Sequence, residues 1–314
     1  MKRWGMTAMA IAAGAAGAAA QTYPDRPVEL TVPFSAGAVT DVLGRALAEG
    51  MSASLGQRVI VVNKPGATGA IGSAAVARAA PDGYSLLFTA AVSMTVVPLQ
   101  NKQVGYDLKA FEPICQTFKN EMVIVVKPDS SIRTAGDLIA AAKAKPGGVN
   151  YGHLGVASIP HLAMIELSQN AGVSLNAIPY KGDSDVMHQV MGGQVEVGAV
   201  VLSSAIGSGL KIVGLFANQR NPSLPDVPTL REQGFDVAPA SFGGLSAPAG
   251  LATAVKQKLA QACQAAAHGE VYARLTRSVG QPTDYYADAD SFAKSLVKDA
   301  VDKAKLLADL GSVN

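Results

Sequence analysis

Hydrophobic positions along this chain switch repeatedly between two spacings. Short runs rich in β-branched and apolar residues, Val28–Phe34, Arg58–Val62 and Tyr84–Thr89, predict strands. Between them Val42, Leu43, Ala46 and Leu47 fall on one helical face, and Ala70–Ala79 predicts a second helix. The spacing makes Thr40 or Asp41 the expected N-cap of the first helix. Pro81-Asp82-Gly83 is a turn, since proline presets φ and glycine accepts a positive one. Two apolar runs follow, Phe111–Phe118 and Met122–Val126, then a predicted helix at Ala135–Lys145 that stops at Pro146-Gly147-Gly148. Alternation resumes through Val149–Tyr151, Pro160–Asn170, Ser174–Pro179, Asp185–Met191 and Val195–Val201. Beyond a proline-rich connector, Asn221–Pro228, lie an apolar stretch, Phe235–Ala247, and Ala-rich helices expected at Thr253–Ala267 and Asp288–Leu310. Strands separated by helices predict an α/β fold with parallel sheets covered on both faces. Ligands of such sheets sit at the carboxyl ends of the strands, so the βα loops are where chemistry is expected.

The N-terminus changes the compartment. Behind Lys2 and Arg3, small and apolar residues run from Met6 to Ala18-Ala19-Ala20, an A-x-A pattern before Gln21. This predicts an export signal over residues 1–20, cleaved near Ala20, and a periplasmic mature protein. The run is shorter and less hydrophobic than the roughly 20 predominantly apolar residues of a membrane span. Lysine and arginine number 26 against 24 aspartate and glutamate, and loss of Lys2 and Arg3 leaves the two signs equal. That balance gives no basic field for nucleic acid or anionic lipid. A chain of 314 residues, less its leader, suffices for two compact lobes. Its two cysteines, Cys115 and Cys263, can pair after export or remain separate buried thiols.

Two loops carry the candidate chemistry. Pro33 to Asp41 joins a strand end to a helix start, where unpaired N–H groups and the helix dipole attract an anion, and Gly37 permits close backbone approach. Asn63-Lys64-Pro65-Gly66-Ala67-Thr68-Gly69-Ala70-Ile71-Gly72 does the same after the second strand. Its GATGAIG segment also matches the glycine pattern of extended short-chain dehydrogenases, which would make the chain an NAD-binding enzyme. Against this, Asn63-Lys64-Pro65 separates strand from glycines, no acid follows the strand Tyr84–Thr89, and no tyrosine has a lysine four residues later. G-x-S-x-G and H-E-x-x-H are absent, and the four histidines lack metal-ligand spacing. A binding protein without catalysis, metal or cofactor is expected.

VPFSAGAVTD, VVNKPGATGAIGSAAVARAAPDGYSLLF, VNYGHLGVASIPHL, IPYKGDSDVMHQVMGGQVEV and NPSLPDVPTLREQG together resemble the Bug receptors, the periplasmic solute-binding components of tripartite tricarboxylate transporters. The resemblance implies a type II periplasmic-binding-protein fold, two α/β lobes with a ligand cleft between them. It assigns residues 21–112 and 243–314 to lobe I and 113–242 to lobe II. It further implies that a ligand carboxylate is pinched by Phe34, Ser35, Ala36, Gly37, Val39, Thr40 and Asp41 on one loop and Ala67, Thr68, Gly69 and Ala70 on the other, with Thr89 and Ser93 beside them. From lobe II it brings His153, Leu154, Ser158, His161, Tyr180, Gly182 and Asp183. Members that bind amino acids commonly carry an aspartate where this chain has Val200, so the expected ligand is a dicarboxylate, tricarboxylate or aromatic acid and not an amino acid. A second carboxylate would be met by His153 or His161. The implied partners are membrane transporter subunits, and the receptor is expected to be a monomer. A periplasmic sensor of the same fold acting on a two-component system is the alternative.

Overall fold

The computed structural model describes residues 23–156, 158–237, 241–279, 281 and 285–311; the expected leader lies outside them. The first stretch reads β1 (Val28–Val32), α1 (Val39–Leu55), β2 (Val59–Asn63), α2 (Ala70–Ala77), β3 (Ser85–Ala90), the short helices α3 (Val92–Thr95) and α4 (Val97–Gln100), and β4 (Phe111–Asn120). The middle reads β5 (Met122–Val126), α5 (Ala135–Ala144), β6 (Asn150–His153), α6 (Ile159–Ala171), β7 (Asn176–Pro179), α7 (Asp183–Met191), β8 (Val197–Val201), α8 (Leu202–Ala205) and β9 (Lys211–Phe216). The chain ends with β10 (Ser241–Pro248), α9 (Thr253–Ala267), α10 (Glu270–Ser278), β11 (Ala287–Asp288) and α11 (Ala289–Gly311).

These strands form two sheets, β11-β4-β10-β3-β1-β2 and β7-β6-β8-β5-β9. Both are covered on two faces. In β3, Leu86 and Phe88 pack under α1 and α9, while Leu87 points to the opposite core with Phe292 and Leu296 of α11. In β5, Met122, Ile124 and Val126 face one core and Val123 and Val125 the other. Period-2 alternation between two apolar layers explains why the strands read as nearly continuous hydrophobic runs.

The sheets are mixed, where wholly parallel ones were expected. β1, β2 and β3 are mutually parallel, but β10 inserts antiparallel between β3 and β4. Likewise β6, β7 and β8 are parallel, whereas β5 runs antiparallel between β8 and β9. The antiparallel members are strands the chain enters as it crosses between sheets without an intervening helix. Gly243 and Gly244 make the insertion fit: a Cβ there would stand 2.1 Å from the Thr89 and Cys115 carbonyl oxygens, respectively. All of β4 belongs to the first sheet, so the chain changes sheets at Glu121, beyond the boundary expected at 112/113.

Cys115 of β4 and Cys263 of α9 are joined as a disulfide, with Cα atoms 6.6 Å apart, in the core beneath α1. At the crossing, the buried Glu121 carboxylate accepts the Asn221 amide at 2.8 Å, and its carbonyl accepts the Leu202 N–H at 2.9 Å. Burial pushes that carboxyl above its ordinary value, opposed by Asn221 and the charge of Lys119. α11 packs against both α3 of the first unit and α6 of the second, and its Asp299 accepts the Thr95 hydroxyl at 2.6 Å. Among the described residues no helix is long and apolar enough to cross a membrane.

Candidate functional site

The first loop is held from within. Ala38, extended, is the N-cap of α1 and makes no side-chain cap bond, so neither Thr40 nor Asp41 caps the helix as expected. Asp41 instead sits inside the first turn, 2% exposed, and reaches back. Its Oδ2 accepts the Gly37 N–H at 2.8 Å and Arg45 Nε at 3.0 Å, and its Oδ1 accepts Asn63 Nδ2 at 2.8 Å. Burial alone would raise this carboxyl, but Arg45, the Gly37 amide and Asn63 outweigh it and hold it below the ordinary carboxylate value. Asn63 Nδ2 also donates to the Phe34 carbonyl at 3.0 Å, tying the loop to the end of β2. Ser35, Ala36 and Gly37 are thereby exposed on a fixed backbone, with Val39 and Thr40 half-buried behind them. The N–H groups of Val39, Thr40 and Asp41 open α1 and have no partner within it.

The second loop is strained. Gly66, Ala67, Thr68 and Gly69 have φ of 129°, 47°, 54° and 87°, a left-handed turn closed by Gly69 N–H to the Gly66 carbonyl at 3.0 Å. Ala67 and Thr68 each pay roughly 1–2 kcal/mol for that conformation. The turn delivers the chain into α2, where the Ile71 and Gly72 N–H groups open the helix without intrahelical partners. Ala67 and Thr68 stand exposed while Gly69 and Ala70 are buried beneath them. A Cβ on Gly69 would lie 3.0 Å from Ser93 Cβ and 3.4 Å from Pro33, and one on Gly72 would lie 2.8 Å from Pro33. The two loops and the start of α3 therefore form one assembly. Thr89 and Ser93 lie inside it, wholly buried, their hydroxyls 2.8 Å from each other and both in reach of the Ala90 carbonyl.

The second sheet presents a different surface. His153 and His161 are 1% and 6% exposed, and their rings stack 4.1 Å apart at 11°. His153 Nδ1 lies 2.8 Å from the Gly155 carbonyl. Burial lowers both imidazoles, and with the added repulsion of His153 the His161 ring falls to about 4. Burial thus disfavours a positive charge on either ring, so the expected contact with a carboxylate would fall to an imidazole N–H. Ser158 caps α6 by accepting the His161 N–H at 3.4 Å; Leu154 is half-buried beside it. Tyr180 packs over Gly152, and Gly182 caps α7 with an extended backbone. Asp183 follows as the first residue of α7 and accepts the Ser204 hydroxyl at 2.7 Å. Burial raises its carboxyl, while Ser204 and the Val201 amide oppose the shift.

Val200 requires the clearest correction. It is 0% exposed and packs with Val123, Val186 and Val190 under α7. Alternation along β8 turns residues 197, 199 and 201 to one core and 198 and 200 to the other. Val200 thus has no surface toward the loops and says nothing of a ligand's ammonium. Val201, half-buried at the strand's last position, and Ser204 occupy the rim instead. Arg45, Asn63 and Ser204 were not singled out from the sequence as site residues, although the i,i+4 spacing of Asp41 and Arg45 was a readable helix ion pair. Among the described residues no cluster of His, Cys, Asp or Glu could hold a metal ion.

Two α/β sheets with loops at their strand ends give the architecture of a solute-binding protein. The profile described as "Tripartite tricarboxylate transporter family receptor" matches residues 43–311, and the chain belongs to that family. It is 35% identical over 309 residues to a UPF0065 protein in the gbd 5' region of Cupriavidus necator, covering 97% of this chain and 93% of the relative. Among solved structures it is similar to a TctC solute binding protein from Polaromonas without ligand, at TM-score 0.83 and 30% identity over 92% of this chain and 100% of that one. It is also similar to the periplasmic binding protein BugD, at TM-score 0.72 and 31% identity over 92% and 99% of the two chains.

Proposed function

We propose that the chain is an exported receptor that captures a small carboxylate in the periplasm and presents it to the membrane subunits of a tripartite transporter. The observation that carries this reading is the first-sheet assembly. Two helix starts, at Val39–Asp41 and Ile71–Gly72, converge on loops that are exposed and rigidly held. Directed N–H groups stabilise an anion without a buried counter-charge, whose desolvation would be expensive. The one acid at this spot, Asp41, is already neutralised by Arg45, so it does not repel an incoming carboxylate. Lobe I comprises the first sheet and its helices, lobe II the second, and ligand is held between their loops.

The ligand is a dicarboxylate, tricarboxylate or aromatic acid and not an α-amino acid. With Val200 removed from consideration, this rests on Asp183. An ammonium in a closed cleft needs an anionic partner, and Asp183 offers only its buried Oδ1, because Oδ2 already accepts the Ser204 hydroxyl. The family match favours transport over sensing. Thermal-shift and calorimetric titration of the mature protein with succinate, adipate, citrate, benzoate and aspartate tests the reading. At least one of the first four should raise the melting temperature, by about 2.7 kcal/mol of stability at 100 Kd, with aspartate weaker. Silence across all the acids, or chemical conversion of a bound one, would refute it.

A further inference from the structure

A second concavity, of about 760 Å³, opens in the second unit between α5, α6 and the edge strand β7; it reaches the start of α6 at His161 but none of the first-sheet loops. Its walls are apolar, with Ala142 from α5, Ile165 from α6 and Ala177 from β7. Tyr151 and His161 line it from within, and Lys143 stands exposed at its rim. The Tyr151 side chain is 2% exposed, yet among the described residues its hydroxyl has no hydrogen-bond partner. That hydroxyl opens onto the crevice, so an acceptor oxygen of a bound molecule can take the place of water there. Tyr151 also lies tilted against His153 and His161, at centroid distances of 5.6 and 6.4 Å, so the inner wall is lined by aromatic rings. At the rim, Lys143 makes no ion pair among the described residues, and its charge is available to an anion.

We propose that this crevice is a second ligand site, separate from the carboxylate cleft, for an aromatic carboxylate of one or two rings. The ring system lies against the apolar walls and the Tyr151–His161 bank. A hydroxyl or carbonyl oxygen at its inner end accepts from Tyr151, and its carboxylate faces Lys143 at the mouth. The volume falls within the range of sites for molecules of that size, about 300–1,000 Å³.

The probe is 6-hydroxy-2-naphthoate, titrated into mature protein and followed by its own fluorescence, which is clean because the sole tryptophan, Trp4, precedes the expected cleavage point. Saturable binding is expected, weakened about 3–10-fold by Tyr151→Phe, which removes one hydrogen bond at constant shape. Ala177→Trp, which fills the crevice, should abolish it, and Asp41→Ala, which disturbs only the first-sheet loops, should leave it unchanged. If Ala177→Trp fails to fold, Lys143→Ala replaces it and should weaken binding by a smaller factor than Tyr151→Phe. No saturable binding at millimolar probe overturns the proposal. So does wild-type binding by Tyr151→Phe together with the second variant, or a loss with Asp41→Ala as large as with Tyr151→Phe, which would put the probe in the cleft.

Discussion

The strand-end loops of the two sheets are built on opposite plans. In the first sheet the polar side chains are spent on one another: Asp41, Arg45 and Asn63 bond among themselves and to the loop backbone. What faces outward is main chain, at two helix starts and a left-handed turn, with the small side chains of Ser35 and Thr68 beside it. In the second sheet the polar side chains are buried or used as caps, and a half-buried valine with the Asp183–Ser204 pair forms the rim. A main-chain cradle reads the feature every carboxylate shares, because N–H direction is independent of residue identity. A side-chain rim can change with one substitution. On the proposed function, affinity for the common group and preference among its bearers fall to different sheets.

That contrast can be broken most sharply at Val200. Val200→Asp buries an unpaired charge in the second core and should destabilise by several kcal/mol, on the order of 3–5, a fall of about 10 °C in melting temperature. A variant that melts like wild type and gains aspartate binding would show that this strand end faces the cleft after all.

Acid separates the sheets next. The His161 imidazole is depressed to about 4 in the folded protein from an ordinary 6.5. A depressed histidine contributes stability that is complete above 6.5 and lost as pH falls toward 4, on the order of 2–3 kcal/mol. Asp41 is depressed too, but from a carboxylate's starting value, so its contribution persists through that window and fades only at lower pH. Urea unfolding at pH 7 and pH 4.5 should show a loss that His161→Gln largely removes and Asp41→Asn does not. An unchanged pH dependence in His161→Gln would mean its ring is not held neutral by burial.

The smallest effect lies in the strained turn. Thr68→Gly relieves a positive φ and should raise stability by about 0.5–1 kcal/mol, while a looser cradle binds succinate or its better-binding analogue more weakly. Tighter binding with the stabilised turn would show that strain does not serve the site.

Much of this was readable from spacing alone. The runs that became β1, β2, β3 and β5 lie within a residue or two of the expected strands, because apolar alternation on two-sided sheets leaves few other readings. The helix predicted at Thr253–Ala267 coincides with α9. β9 went unread because KIVGLF is interrupted by Gly214 and has no helix pattern beside it to frame it as a strand. α10 went unread because only Tyr272 and Thr276 are buried in an otherwise polar segment. At the site, the loops were legible as glycine-rich strand-to-helix joints. Side-chain direction was not: Val200 differs from Val201 only by one step of the pleat, and a one-residue misjudgement reverses the face. The stacking of His153 on His161 depends on β6 and α6 meeting in space, which no local pattern encodes.

The order of the strands in the first sheet has a consequence for how the chain is born. β10 lies between β3 and β4, yet it follows them by the entire second sheet. As the polypeptide emerges, β1, β2 and β3 can pair, but β4 has no neighbour to join until residue 241 arrives, and Cys115 waits for a partner 148 positions away. The second sheet, drawn from one unbroken stretch between Met122 and Phe216, faces no such delay. The part made first is therefore completed last, and until then it exposes open strand edges of the kind that stick to other chains. With the proposed export, the hazard falls on the far side of the membrane, where an unfinished first sheet must be kept from its neighbours until the tail has passed.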